Sequence, residues 1–253
     1  MMTTLTQTKI ARGEGAVLLL EAAAAMMLLS ACGTGTETPG GATAEHLKPA
    51  PAAMEATAGE QIAATPVDMT GSYTTPASYF DQITQFPAWK TVPRGLQVFG
   101  HVPLQIGGMI CLWGSENAER GLVFLQQRLG IPIHQKFDTL YVYHGVFYPS
   151  ADGTPVYELV FRYADDSSAT NQIRYKDDLI DWYAPRTEPV EGPTGANSIL
   201  AWHGDVSPEA PAQPVRFTLT AIKNQKPGIE VATVDLYSCK SKSAPCILAF
   251  STK

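Results

Sequence analysis

The sequence predicts an all-β fold, an antiparallel jelly-roll β-sandwich set behind a leader and a tether. Three observations carry that expectation. Short β-branched and aromatic runs recur from Pro66 to Lys253, each bounded by Gly, Pro, Asp or Ser. Helix signals in the same region are confined to Ala118–Gln127. In Arg216–Ile222, Phe217, Leu219 and Ala221 alternate with Arg216, Thr218 and Thr220, which predicts one buried and one wet face. Antiparallel strands joined by short turns need no crossover helix, so such a series builds a sandwich or barrel.

The chain begins with an export signal. Met1–Gly15 carries Lys9 and Arg12, and the apolar runs Ala16–Leu20 and Ala22–Leu29, separated by Glu21, precede the small residues Ser30 and Ala31. The tetrad Leu29-Ser30-Ala31-Cys32 resembles the bacterial lipobox. That resemblance implies a signal peptide over 1–31, cleavage before Cys32, and lipidation of Cys32 as a membrane anchor. With Gly33 after the Cys, it implies the outer membrane if the cell is Gram-negative. Without the resemblance, the same segment reads as an ordinary cleavable signal or an N-terminal anchor.

Residues 32–65 are rich in Gly, Thr, Pro, Ala and Glu and nearly empty of large apolar side chains. Such a stretch cannot bury enough surface to offset chain entropy, so it is expected to be a flexible tether. Residues 66–253 then form the sandwich domain.

Within the domain, Ile131–Lys136 and Thr139–Gly145 read as strands. Val156–Tyr163 is a third, ending in the turn cluster Ala164–Ser168, and Asn171–Lys176 is a fourth. Asp177-Asp178 fits a two-residue hairpin loop leading into a strand over Leu179–Tyr183, although neither position is the Gly such turns favour. Arg216–Ile222, Ile229–Tyr237 and Ile247–Ser251 complete the set.

Composition bounds the partners. The formal charge is -6, and the 18 basic residues are scattered, not gathered into a stripe, which argues against nucleic acid. With Cys32 assigned to lipid, Cys111, Cys239 and Cys246 remain. Cys239 and Cys246 flank a polar loop, so a disulfide between them is expected in an oxidising compartment, while Cys111 reads as a buried thiol.

The order Val67-Asp68-Met69, Pro93-Arg94-Gly95, Phe99-Gly100-His101-Val102-Pro103, Tyr143-His144-Gly145, Arg162-Tyr163-Ala164-Asp165, Asp181-Trp182-Tyr183 and Ala201-Trp202-His203-Gly204 resembles a jelly-roll module of exported bacterial proteins. Such modules are similar to galactose-binding-like and carbohydrate-binding sandwiches. Asp166 stands where a Gly closes the turn in those modules, and Ile222–Pro227 lacks their Trp-x-Asn-Pro.

No zinc-hydrolase helix motif, phosphate loop, nucleophile elbow or dinucleotide fingerprint is present, so no catalytic residue and no cofactor is implied. Asp178, Asp181 and Asp205 offer carboxylates for a glycan hydrolase, the least favoured reading. His144, and His203 beside Asp205, read as packed or hydrogen-bonded histidines before metal ligands. The pairs Asp165-Asp166 and Asp177-Asp178 read as turn residues before a calcium site.

The expected function is a non-catalytic glycan-binding module of the cell envelope. Trp182, Tyr183 and Trp202 would stack on sugar faces, with Arg174, Asp178 and Asp181 orienting hydroxyls. The alternative is an assembly lipoprotein that binds another envelope protein, with its tryptophans filling the core.

Overall fold

The computed structural model describes residues 61–82, 87–184, 186, 189–205 and 214–253. The expected signal peptide, the expected lipidation site Cys32 and the expected tether up to residue 60 lie outside the described residues. The domain takes up the chain ahead of Pro66: the Ile62 N–H bonds the His101 carbonyl at 2.9 Å.

Two short strands open the domain, β1 (Thr65–Pro66) and β2 (Thr75–Pro76). Two 3-10 turns, Ala77–Gln82 and Pro87–Thr91, lead to the hairpin of β3 (Gly95–Phe99) and β4 (Val102–Ile106). β5 (Gly108–Cys111) and a single helical turn, α1 (Ser115–Glu119), follow. The long strands are β6 (Gln127–Gln135), β7 (Thr139–Phe147), β8 (Pro155–Tyr163) and β9 (Ser168–Arg174). β10 (Ser198–His203), β11 (Arg216–Lys223), β12 (Val231–Ser238) and β13 (Ala244–Thr252) finish the chain.

Every pairing between these strands is antiparallel. A seven-stranded sheet runs β10-β11-β7-β13-β5-β2, with β1 on the far end of β13, and a four-stranded sheet runs β6-β12-β8-β9. The chain therefore forms an all-β sandwich.

Side-chain alternation divides the apolar residues between two cores. Ile110, Leu140, Val142, Ile222, Ile247 and Phe250 of the larger sheet meet Ile131, Tyr157, Leu159, Phe161, Val234 and Leu236 of the smaller one. On the opposite face of the larger sheet, Met109, Cys111, Tyr143, Phe217, Leu219, Cys246 and Leu248 meet Val102, Leu104, Ile106, Phe80 and Trp89 from the hairpin and the 3-10 turns. The molecule is thus three layers deep. Central strands of the middle layer have no wet face, and all nine residues of β13 are buried. This corrects the two-faced expectation for β11, whose Arg216, Thr218 and Thr220 are buried as well.

Leu179–Tyr183 is not the third strand of a meander. Lys176 takes a positive φ of 69°. The segment then makes isolated bridges, Val146 to Asp181 and Tyr183 to Val215, along the larger sheet. Without a Gly pair, Asp177-Asp178 does not close a tight hairpin, and the chain crosses between sheets instead. At the turn after β8, Asp166 adopts φ 63°, the left-handed region a Gly would occupy freely and Asp tolerates.

Cys239 and Cys246, the expected disulfide pair, are not joined in the structure and sit in different surroundings, Cys246 buried and Cys239 half-buried. The loop between β12 and β13 passes from one sheet to the other. Cys239 stays beside the smaller sheet, its N–H bonded to the Val156 carbonyl at 3.0 Å. Cys246 directs its side chain to the outer core of the larger sheet, away from Cys239.

Gly114 precedes α1 where the chain crosses the start of β13. A Cβ there would lie 2.5 Å from the Ala244 nitrogen and 2.6 Å from the Ser243 carbonyl carbon, both rigid backbone. Gly114→Ala should therefore destabilise the domain by about 1–3 kcal/mol, the cost of overpacking. Urea unfolding measures this, and an unchanged midpoint would contradict the close approach.

Candidate functional site

β9 is an edge strand, so one side of its backbone is not paired within the sheet. Where this edge faces the β10–β11 end of the larger sheet, a cleft of about 320 Å³ opens. Thr170, Asn171 and Gln172 line one wall, Asn197 and Lys223 the other, and Thr220 and Asp178 lie between.

Asn171 is the irregular residue. In β9 the inward positions are Ala169, Asn171 and Ile173; the flanking two are buried at 7% and 3% exposure, and the middle one is an amide. Its Nδ2 is enclosed and has no hydrogen-bond partner among the described residues. An unpaired buried donor costs about 1–3 kcal/mol.

The base of the cleft is fixed by a buried polar chain. Thr220 Oγ1 donates to the Asp178 carbonyl at 2.6 Å, which uses its proton. It therefore accepts from Ser198 Oγ at 2.9 Å and from His144 Nε2–H at 2.8 Å. That sets the tautomer, and His144 Nδ1 accepts from the Tyr157 hydroxyl at 2.7 Å. Burial drives His144 down to about 3, so the imidazole is neutral at ordinary pH. With both ring nitrogens engaged inside the core, His144 is a structural link. His203, in contrast, is exposed and its Nδ1 sits 2.8 Å from the Gly204 carbonyl oxygen.

Two of the residues expected to bind glycan meet here. Asp178 Oδ2 accepts the Arg174 N–H at 2.7 Å, closing the turn after β9. Burial raises the Asp178 carboxyl above its usual range against that hydrogen bond. The Arg174 guanidinium turns away, donating to the Gly153 carbonyl at 2.9 Å and to Gln172 Oε1.

The expected aromatic platform does not assemble. Trp182 is 2% exposed, packed 5.0 Å from Trp89 and 5.4 Å from Phe147 between ring centroids. Trp202 is half-buried and stacks on Phe217 at 6.3 Å, and of the three Tyr183 alone is exposed. The physical reason is the third layer: the face of the larger sheet that would carry these rings to solvent is covered by the β3–β4 hairpin and the 3-10 turns. None of the three lines the cleft.

Asp181 is likewise structural. Its Oδ1 accepts the Tyr183 N–H at 3.2 Å, while Arg216 Nε donates to the Asp181 carbonyl at 3.0 Å. Burial pushes the Asp181 carboxyl up to about 7, outweighing the Tyr183 N–H and the nearby Arg216 charge.

Asn171, Asn197 and Thr220 were not singled out by sequence. The available signal was the amide at Asn171 between the inward-facing Ala169 and Ile173. Among the described residues, no group of three His, Cys, Asp or Glu side chains is placed to hold a metal ion. No family model, curated protein or solved structure matches the chain.

Two outcomes are expected. Asp181 is raised in the fold above an unfolded value of about 3.9, so between those two values the native state holds a proton that the unfolded state releases. Its contribution to stability therefore falls as pH rises from about 4 through 7. Thermal melts of Asp181→Asn should match wild type near pH 4 and exceed it at pH 8; parallel curves for the two proteins would refute the shift. Separately, Tyr157→Phe leaves His144 Nδ1 without its donor and should cost about 1–3 kcal/mol in urea unfolding.

Proposed function

We propose that the protein is a non-catalytic binding module of the cell envelope, anchored through lipid at Cys32, and that it takes a small hydroxyl-rich ligand, a glycan terminus, in the cleft beside β9. The observation that carries this reading is the unpartnered amide of Asn171 in the wall of a cleft whose lining combines amides, hydroxyls, one carboxylate and one amine with the apolar Ile173, Ala221 and Ile222. Sugar hydroxyls both donate and accept, so they match neighbouring Asn171, Asn197, Gln172 and Asp178 side chains. Recognition without stacking rests on hydrogen bonds, with Ile173, Ala221 and Ile222 offering apolar contact. The Asp178 carboxyl orients the ligand in this reading, and it is the single carboxyl group among the described lining residues.

One observation favours the competing reading, an assembly protein that binds an envelope protein. Leu96 and Val98 on β3 are 65% and 53% exposed, and β3 pairs on one side only. An exposed apolar edge of this kind accepts an added strand.

Amide chemical shifts separate the two, since Trp89 and Trp182 are buried away from the cleft and do not report on it. A lipid-free Cys32→Ala chain titrated with a panel of envelope glycans should show saturable shifts at Asn171, Gln172 and Asn197, lost in Asn171→Leu while the remaining spectrum persists. A panel that leaves these amides unmoved overturns the glycan reading. Shifts at Leu96 and Val98 on adding envelope protein would support the other.

A further inference from the structure

We infer that Cys111 and Cys246, unbonded thiols in the structure, oxidise to a cross-strand disulfide that ties β13 to β5, leaving Cys239 as the remaining thiol of the domain. The two residues are direct partners in the β5–β13 register. The Leu112 N–H bonds the Pro245 carbonyl at 2.9 Å, one residue beyond each cysteine. In an antiparallel ladder that pattern marks Cys111 and Cys246 as a non-hydrogen-bonded pair. Such pairs bring Cα atoms to about 4.5 Å and place both side chains on one face. A disulfide spans Cα separations of about 4.4–6.8 Å, so the backbone already meets its requirement.

Packing agrees with the register. Both side chains belong to the outer core, with exposures of 2% for Cys111 and 0% for Cys246. Met109 and Leu248 of the same two strands continue that face, while Ile110 and Ile247 take the inner one. Cys239 has no comparable position, since it sits beside the smaller sheet. Burial pushes the Cys111 thiol up to about 12, so the docked thiol is a poor nucleophile.

With a small disulfide such as oxidised glutathione as oxidant, the chemistry balances. One cysteine loses its proton to solvent and attacks a glutathione sulfur, releasing the first glutathione thiolate. The second, also deprotonated, attacks the protein sulfur of that mixed disulfide and releases the second glutathione. Two electrons pass from the cysteine pair to the oxidant, which ends as two thiols.

The test does not depend on where the protein resides. The full chain is unfolded and reduced, refolded in a glutathione redox buffer, denatured with excess iodoacetamide and digested for mass spectrometry. The expected result is a Cys111–Cys246 linked peptide that reduction abolishes, with Cys239 alkylated. Alkylation of both Cys111 and Cys246 without reduction overturns the inference, as does Cys239 in the predominant linkage. As a second measurement, dithiothreitol present throughout refolding should lower the urea midpoint of wild type and leave that of Cys111→Ala/Cys246→Ala unchanged. If both midpoints respond equally, the inference also fails.

Discussion

The hydrogen bond between His144 and Tyr157 ties the architecture together, because it joins β7 of the larger sheet to β8 of the smaller one through their shared apolar core. Polar groups at this depth are tolerated when each finds a partner. Here the chain Ser198, Thr220, His144, Tyr157 satisfies every link and ends on the Asp178 carbonyl. It therefore holds the sheets in register and fixes the base of the cleft with the same bonds. A fully engaged network of this kind favours one arrangement of the two sheets, since any slip strands several buried polar atoms at once.

The strands themselves were largely legible. β7, β8, β11, β12 and β13 coincide with β-branched or aromatic runs that end at Gly, Pro, Asp or Ser, and local chemistry is enough to locate them. What was not legible is which face each strand presents. Phe217 and Thr218 alternate as a half-wet strand would, yet both are buried, because cover for the second face comes from remote sequence, the β3–β4 hairpin and the turns around Phe80 and Trp89. Trp182, which the sequence offers equally as a platform or a core residue, is buried for the same reason. A tryptophan before an exposed tyrosine looks like a binding platform until the third layer is known.

The cleft was illegible for a different reason. Its walls come from β9, from Asn197 ahead of β10 and from the end of β11, and no local spacing relates them. Asp178 and Arg174 were noticed as possible ligand contacts, but their mutual bond closes a turn, and only Asp178 reaches the cleft lining. The cysteines carry a similar lesson. Closeness along the chain pointed to Cys239 and Cys246, whereas pairing across the sheet sets Cys246 opposite Cys111.

The last strand of the domain, β13, is also the centre of the larger sheet, with β7 on one side and β5 and β1 on the other. Thr65 of β1 pairs with Thr252 of β13, so the first and last strands of the domain meet. During synthesis the two halves of this sheet lack a common neighbour until nearly the whole domain has left the ribosome. Such long-range closure slows folding, because loop entropy must be met before the native pairings form. Until β13 arrives, β7 and β5 each show an open edge to other chains, and the domain is at its most aggregation-prone just before that strand docks.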